Sequence, residues 1–216
     1  MRACVVLLAV AVLSGCAEVR VDFSETRERS FEPKDYERVL ERWTREDRLY
    51  LLDGLDNALT VTATFKSWEY RRAFVDRYAH DFRLTPSERR ALEDEQRAEM
   101  EAAHVFFVAA TSTRLQWSDL AAETSPWSIR LVNDRDEVLT PFHDGHEPAG
   151  IEAIRRPTPV HRAYFPYLNV FRQVFVLRFP RVLPTGEPFL RAGIRSFVLD
   201  FAGAFGKAEM RWSSAD

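Results

Sequence analysis

The cleanest alternation of polar and apolar positions in the chain is Thr60-Val61-Thr62-Ala63-Thr64-Phe65. A period of two predicts a strand with Val61, Ala63 and Phe65 turned to a core and the threonines turned outward. After Lys66 the period changes. Tyr70, Phe74, Tyr78 and Phe82 recur every fourth residue with Val75 and Ala79 beside them, which predicts an amphipathic helix over 68–83. Thr85-Pro86-Ser87-Glu88 then starts a second helix: Thr caps it, Pro fits its first turn and Glu completes a capping box. That helix runs to about 103 and is mostly charged, with Leu92, Met100 and Ala103 as a narrow buried stripe. The two form a helical hairpin, 68–103, whose second arm lies on the surface.

The rest of the folded part reads as β. Val105–Thr111 is apolar enough for a buried strand. Trp127–Val132 and Glu137–Phe142 flank the turn sequence Asn133-Asp134-Arg135-Asp136. Phe171–Phe179 is the strongest strand pattern, and Ser196–Phe201 with Ala208–Trp212 closes a last hairpin around Gly203-Ala204-Phe205-Gly206. Over 36–47, Tyr36, Val39, Leu40 and Trp43 have helical spacing, yet a strand over 38–44 fits nearly as well, so both assignments stay open. About seven strands joined mostly by turns, with the helical hairpin inserted after the first of them, predict a mainly β domain: an antiparallel sandwich. On this pattern residues 57–213 resemble the immunoglobulin-like sandwiches of exported bacterial lipoproteins. The Cys…Trp…Cys spacing of antibody domains is absent, and a likeness of fold implies no activity.

The first sixteen residues follow another pattern. Met1-Arg2 is followed by an uncharged apolar run, Ala3 to Leu13, too short to span a bilayer core. Leu13-Ser14-Gly15-Cys16 resembles a bacterial lipobox. The resemblance implies cleavage before Cys16, a diacylglyceryl thioether on its sulfur and acylation of its new amino group. Two or more acyl chains give stable membrane anchoring where one does not. Ala17, in place of the Asp that resembles an inner-membrane retention signal, implies the outer membrane. The expected organisation is a signal peptide over 1–15, a lipidated N-terminus and flexible tether over 16–35, and a single domain over 36–216.

Composition narrows the partners. Removing residues 1–15 leaves 201 residues with 29 basic and 33 acidic side chains, a net charge of −4 with histidine neutral. That is no footprint for nucleic acid and no polybasic patch for anionic lipid. Cys4 leaves with the signal and Cys16 is lipidated, so the folded part has no thiol, disulfide or cysteine ligand. The membrane, reached through Cys16, and another envelope protein are the expected partners.

Candidate chemistry is thin. His143-Asp144-Gly145-His146-Glu147, with His161 downstream, could offer nitrogen and oxygen ligands to a divalent ion. The spacing matches no zinc signature, and Asp, Gly and His are ordinary in a solvated turn, so no metal is expected. There is no Gly-x-Ser-x-Gly elbow, no Ser-x-x-Lys and no phosphate-cradling loop, so neither an enzyme nor a cofactor is expected. Phe65, Phe74, Phe175, Phe197 and Trp212 fall at inward positions and read as core. The long stretch 143–169 is the candidate binding element. Pro157, Pro159 and Pro166 stiffen it, and Arg155, Arg156 and Arg162 accompany Tyr164, the residue types favoured at interfaces. The alternative is that Phe165 and Tyr167 cover the open edge of the sandwich while the arginines pair with nearby acids.

These observations order the functional readings. First is a non-enzymatic lipoprotein that binds or scaffolds another envelope protein. Second is a small-ligand or lipid-binding lipoprotein, which requires an apolar cavity between the sheets. Third is a metal-dependent hydrolase built on the His143–His161 region.

Overall fold

The computed structural model of the chain describes residues 20–23, 30–51, 56–143 and 145–214. The signal region, the lipobox with Cys16, and Asp144 lie outside the described residues. In chain order the strands are β1 (Arg20–Val21), β2 (Thr44–Tyr50), β3 (Asn57–Phe65), β4 (His104–Thr111), β5 (Ser128–Asn133), β6 (Val138–Leu139), β7 (Ile151–Ala153), β8 (Gln173–Phe179), β9 (Ser196–Gly203) and β10 (Gly206–Ser214). The helices are α1 (Tyr36–Trp43), α2 (Trp68–Asp81), α3 (Pro86–Ala102) and α4 (Pro159–Tyr164). Among the described residues no helix is long and apolar enough to cross a membrane.

The strands form two five-stranded sheets. One has the order β2-β3-β4-β8-β7 and is antiparallel throughout. The other has the order β1-β10-β9-β5-β6 and is antiparallel except where β1 runs parallel to β10. Their facing sides are joined by aromatic rings. Phe65 meets Phe197 at 5.2 Å between centroids and Phe106 meets Trp212 at 5.5 Å. The Trp212 indole N–H donates to the Trp43 carbonyl at 3.0 Å, which satisfies a buried donor that apolar packing alone would strand. Among the described residues ten strands thus stand where the pattern predicted about seven; β1 and β7 are two and three residues long, too short to leave a period in the sequence, β2 begins only at Thr44, where the strand left open over 38–44 ends, and the strand read over Glu137–Phe142 shrinks to the two residues of β6.

Of the two assignments open over 36–47 the helix holds, and the strand lies after it, from Thr44, not over 38–44. Tyr36, Val39, Leu40 and Trp43 are the buried face of α1, and Thr44 turns to extended backbone, its hydroxyl donating to the Leu40 carbonyl at 2.7 Å. The chain then runs directly into β2. The helical hairpin of α2 and α3 is inserted between β3 and β4, which are adjacent antiparallel strands. It follows the strand read as Thr60–Phe65, as expected: β3 is the first strand of its sheet with buried residues, and β2 before it has none. Both helix starts are as the sequence predicts. Ser67 caps α2 by accepting from the Tyr70 N–H at 3.1 Å, and Thr85 and Glu88 form the reciprocal capping box of α3.

Two expectations are corrected. Part of the stretch read as a tether is folded in: Arg20–Val21 pairs with Ser213–Ser214, Val21 is buried, and the Phe23 ring lies 5.1 Å from Phe197. Further on, the Phe31 N–H donates to Asp76 Oδ2 at 2.9 Å. Second, Thr60, Thr62 and Thr64 are buried, although they point away from the inter-sheet core. A third layer covers them. The Thr64 hydroxyl lies 2.9 Å from the Tyr167 hydroxyl, Thr62 donates to Glu46 Oε2 at 2.6 Å, and Arg172 bonds both Thr62 and Glu46. The stretch 143–169 is thus no bare loop. It contributes β7 to the sheet edge and lays α4 and its flanks across the sheet's outer face.

Candidate functional site

The covered outer face holds the candidate site. Lys66 directly follows β3, its N–H bonded to the Val105 carbonyl at 2.9 Å, and Ser67 caps α2 immediately after. This junction leaves the Lys66 side chain in the corner between sheet and helices. Phe107 and Val176 form the floor there, Tyr70 and Phe74 of α2 and Gln96 of α3 form one wall, and Ile154, Val160, His161, Tyr164 and Phe165 form the other. They line a half-open cavity of about 210 Å³. The every-fourth aromatics of α2 meet α4 along it: Tyr164 is 5.2 Å from Phe74 and 5.7 Å from Tyr78 between centroids.

Its polar end is a buried charge cluster. Glu99 Oε2 accepts from both the Lys66 ammonium and Arg71 Nη1, the latter at 2.5 Å. Arg71 is fully buried; it also donates through Nη1 to Gln96 Oε1 at 3.0 Å and through Nε to the Lys66 carbonyl at 2.8 Å. Among the described residues its Nη2 has no partner. Desolvation, and then the neighbouring Arg71, pull the Lys66 pKa down to about 8 despite Glu99. Burial works to raise the Glu99 pKa, but Lys66 and Arg71 outweigh it and hold the carboxyl at about 2. Two cations therefore share one carboxylate, in a corner where Arg71 is fully buried and Lys66 and Glu99 are half-buried.

The remaining polar groups of the cavity are committed. The Tyr164 hydroxyl donates to Asp81 Oδ2 at 2.9 Å, and the Tyr70 hydroxyl pairs with that of Tyr36 at 3.3 Å. His161 closes the capping box of α4: the Thr158 N–H donates to its Nδ1 at 3.0 Å, which places the ring proton on Nε2. Desolvation lowers the His161 pKa and keeps the ring neutral at neutral pH.

The residues singled out from the sequence fall in different places. Arg155, Arg156 and Arg162 are exposed. Tyr164 is turned inward and 4% exposed, so it serves the cavity and the packing of α4, not an outer surface. Of the metal candidates, His143 and Glu147 are exposed, His146 is stacked on Phe142 and bonded to the Pro148 carbonyl, and His161 belongs to α4. Among the described residues no group of three or more His, Cys, Asp or Glu is placed to hold a metal ion. The apolar cavity required by the small-ligand reading exists, but outside one sheet and not between the two. Its key residues, Lys66, Arg71, Gln96 and Glu99, were not anticipated. A signal was available for two of them: Gln96 and Glu99 precede Met100 and Ala103 at helical spacing and so share the buried stripe of α3.

Comparison of the chain with protein-family models, with curated proteins and with solved structures gave no match.

Proposed function

We propose that the chain is a non-enzymatic, outer-membrane lipoprotein, anchored through Cys16, whose folded part binds a small, largely apolar ligand in the cavity beneath α2, α3 and α4. The cavity is the observation that carries this reading. Its walls are aromatic and aliphatic with a few polar groups at one end, the usual make-up of a ligand pocket. Within the same proposal the two facing sheets serve as an immunoglobulin-like scaffold, with the third layer as its binding element.

Val160 sits at the rim, 37% exposed, where a larger side chain reaches into the cavity without entering the core. A thermal-shift screen of small apolar compounds should find some that raise the midpoint of the wild-type chain, because a ligand bound only by the native state stabilises it. The rise should vanish in Val160→Trp. A blank screen, or a rise that survives the substitution, contradicts the reading.

A second reading, docking of another envelope protein, draws on Leu115, Val170 and Phe171, which are 72%, 78% and 79% exposed. It predicts that Val170→Ser with Phe171→Ser abolishes a crosslinked neighbour in intact cells while Val160→Trp does not.

A further inference from the structure

We infer that the cavity selects a small monocarboxylate with an apolar body, the carboxylate seated against Lys66 and Gln96 and the body lying between Phe74, Phe107 and Phe165. The inference rests on the cavity reading above and adds the charge and size of the ligand.

Three observations carry it. The first is the inventory of uncommitted polar groups. Gln96 spends its side-chain oxygen on Arg71, so the polar group it has left for the cavity is its amide N–H₂. His161 spends Nδ1 on Thr158 and keeps Nε2–H. Lys66 has three ammonium protons and gives one to Glu99. Every one of these groups is a donor, so a complementary ligand brings acceptors. The second is charge. Among the described residues the carboxylate bonded by Lys66 and Arg71 is that of Glu99, and the next charged group acting on Lys66 is another cation, Arg178 of β8, itself paired with Glu152 at 2.8 Å. One negative charge from a ligand neutralises the cluster, whereas a dianion such as a phosphate monoester would bury an excess charge of the opposite sign. The third is size. At roughly 30 Å³ for each water-sized group in a liquid, the cavity holds about seven non-hydrogen atoms.

Hexanoate fits that size, and hexanamide is its uncharged counterpart. Calorimetric titration of the full-length chain, purified in detergent at neutral pH, should give hexanoate an affinity at least about tenfold above that of hexanamide. Lys66→Met and Lys66→Gln should each bring the ratio to within about twofold while hexanamide still binds. Protection of the wild-type chain gives the same test without a variant. Hexanoate, and not hexanamide, should slow acetylation of Lys66 by acetic anhydride, read by peptide mass spectrometry. Equal affinity for the two probes, a preference that survives both Lys66 variants, or tighter binding of hexylamine overturns the inference and leaves the cavity reading standing. Absence of binding by all three probes overturns the inference, and together with a blank thermal-shift screen it removes the cavity reading as well.

Discussion

Phe165 lies flat on Phe107, the ring centroids 3.7 Å apart and the planes 8° from parallel. One ring belongs to the outer face of a central strand and the other follows α4, so this contact fixes the third layer to the sheet and sets the depth of the cavity between them. Both side chains are buried. Phe165→Ala removes a buried ring and leaves a void, and it should lower the unfolding free energy by about 3–5 kcal/mol in urea titrations. A loss below about 1 kcal/mol would mean that other contacts hold this layer in place.

The Lys66–Arg71–Glu99 cluster should shape stability at both ends of the pH range. The folded Glu99 pKa of about 2 lies below its ordinary 4.5, so on acidification the unfolded chain takes up this proton first. Its contribution is complete above the ordinary carboxylate range and is lost as pH falls toward 2. Lys66 is also depressed, to about 8 from 10.5, so the unfolded chain again holds more protons between those values and stability rises with pH across that window. Urea midpoints should therefore show a shallower acid limb in Glu99→Gln than in wild type. The difference between wild type and Lys66→Met should move in favour of wild type from pH 8 to pH 10. Parallel pH profiles for each pair would contradict these placements.

What the sequence revealed and what it hid divide along one line, the range of the interaction. The Thr60–Phe65 alternation, the aromatic period of α2 and the Thr85–Glu88 capping box all depend on neighbours within a few residues, and each appears as read. The partners of Thr62 and Thr64 do not: Arg172 and Tyr167 come from more than a hundred residues away, so nothing local says that the threonine face is covered. The cavity was hidden for the same reason. Lys66 is one lysine between a strand and a helix, and Glu99 one glutamate on a charged helix. Only the packing of α3 against α2 brings Glu99 to Arg71, burying the arginine fully and the glutamate in part. The ambiguity over 36–47 arose where one element hands over to the next: the helical spacing is the one the chain adopts up to Trp43, and the strand begins only at Thr44.

The N-terminal stretch makes its own prediction. A chain beginning at Ser30 loses β1 and the Phe23 ring that packs against Trp43 and Phe197. Burial of Val21 and Phe23 argues for a loss of about 1–3 kcal/mol relative to a chain beginning at Ala17, measured by urea unfolding. Equal stability would show that residues 20–23 do not contribute to the fold.

Anchoring is tested apart from the fold. On the lipobox reading, Cys16→Ser yields an uncleaved, unlipidated precursor that leaves the detergent phase in a phase-partition assay, while the wild-type protein stays in it. Two or more acyl chains make that partition strong enough to score without ambiguity. Unchanged partitioning of Cys16→Ser would remove the anchor.

The cavity itself is tested most directly by methyl-labelled NMR of the full-length chain with hexanoate added. Ile154, Val160 and Val176 line the cavity, whereas Leu115, Val138 and Val170 are exposed side chains elsewhere. A ligand held beneath α2, α3 and α4 should shift the first three methyl groups in a saturable way and leave the other three where they are. Shifts confined to Leu115 and Val170, or no saturable shift at all, would place binding on the exposed surface or nowhere and contradict the function proposed for this fold.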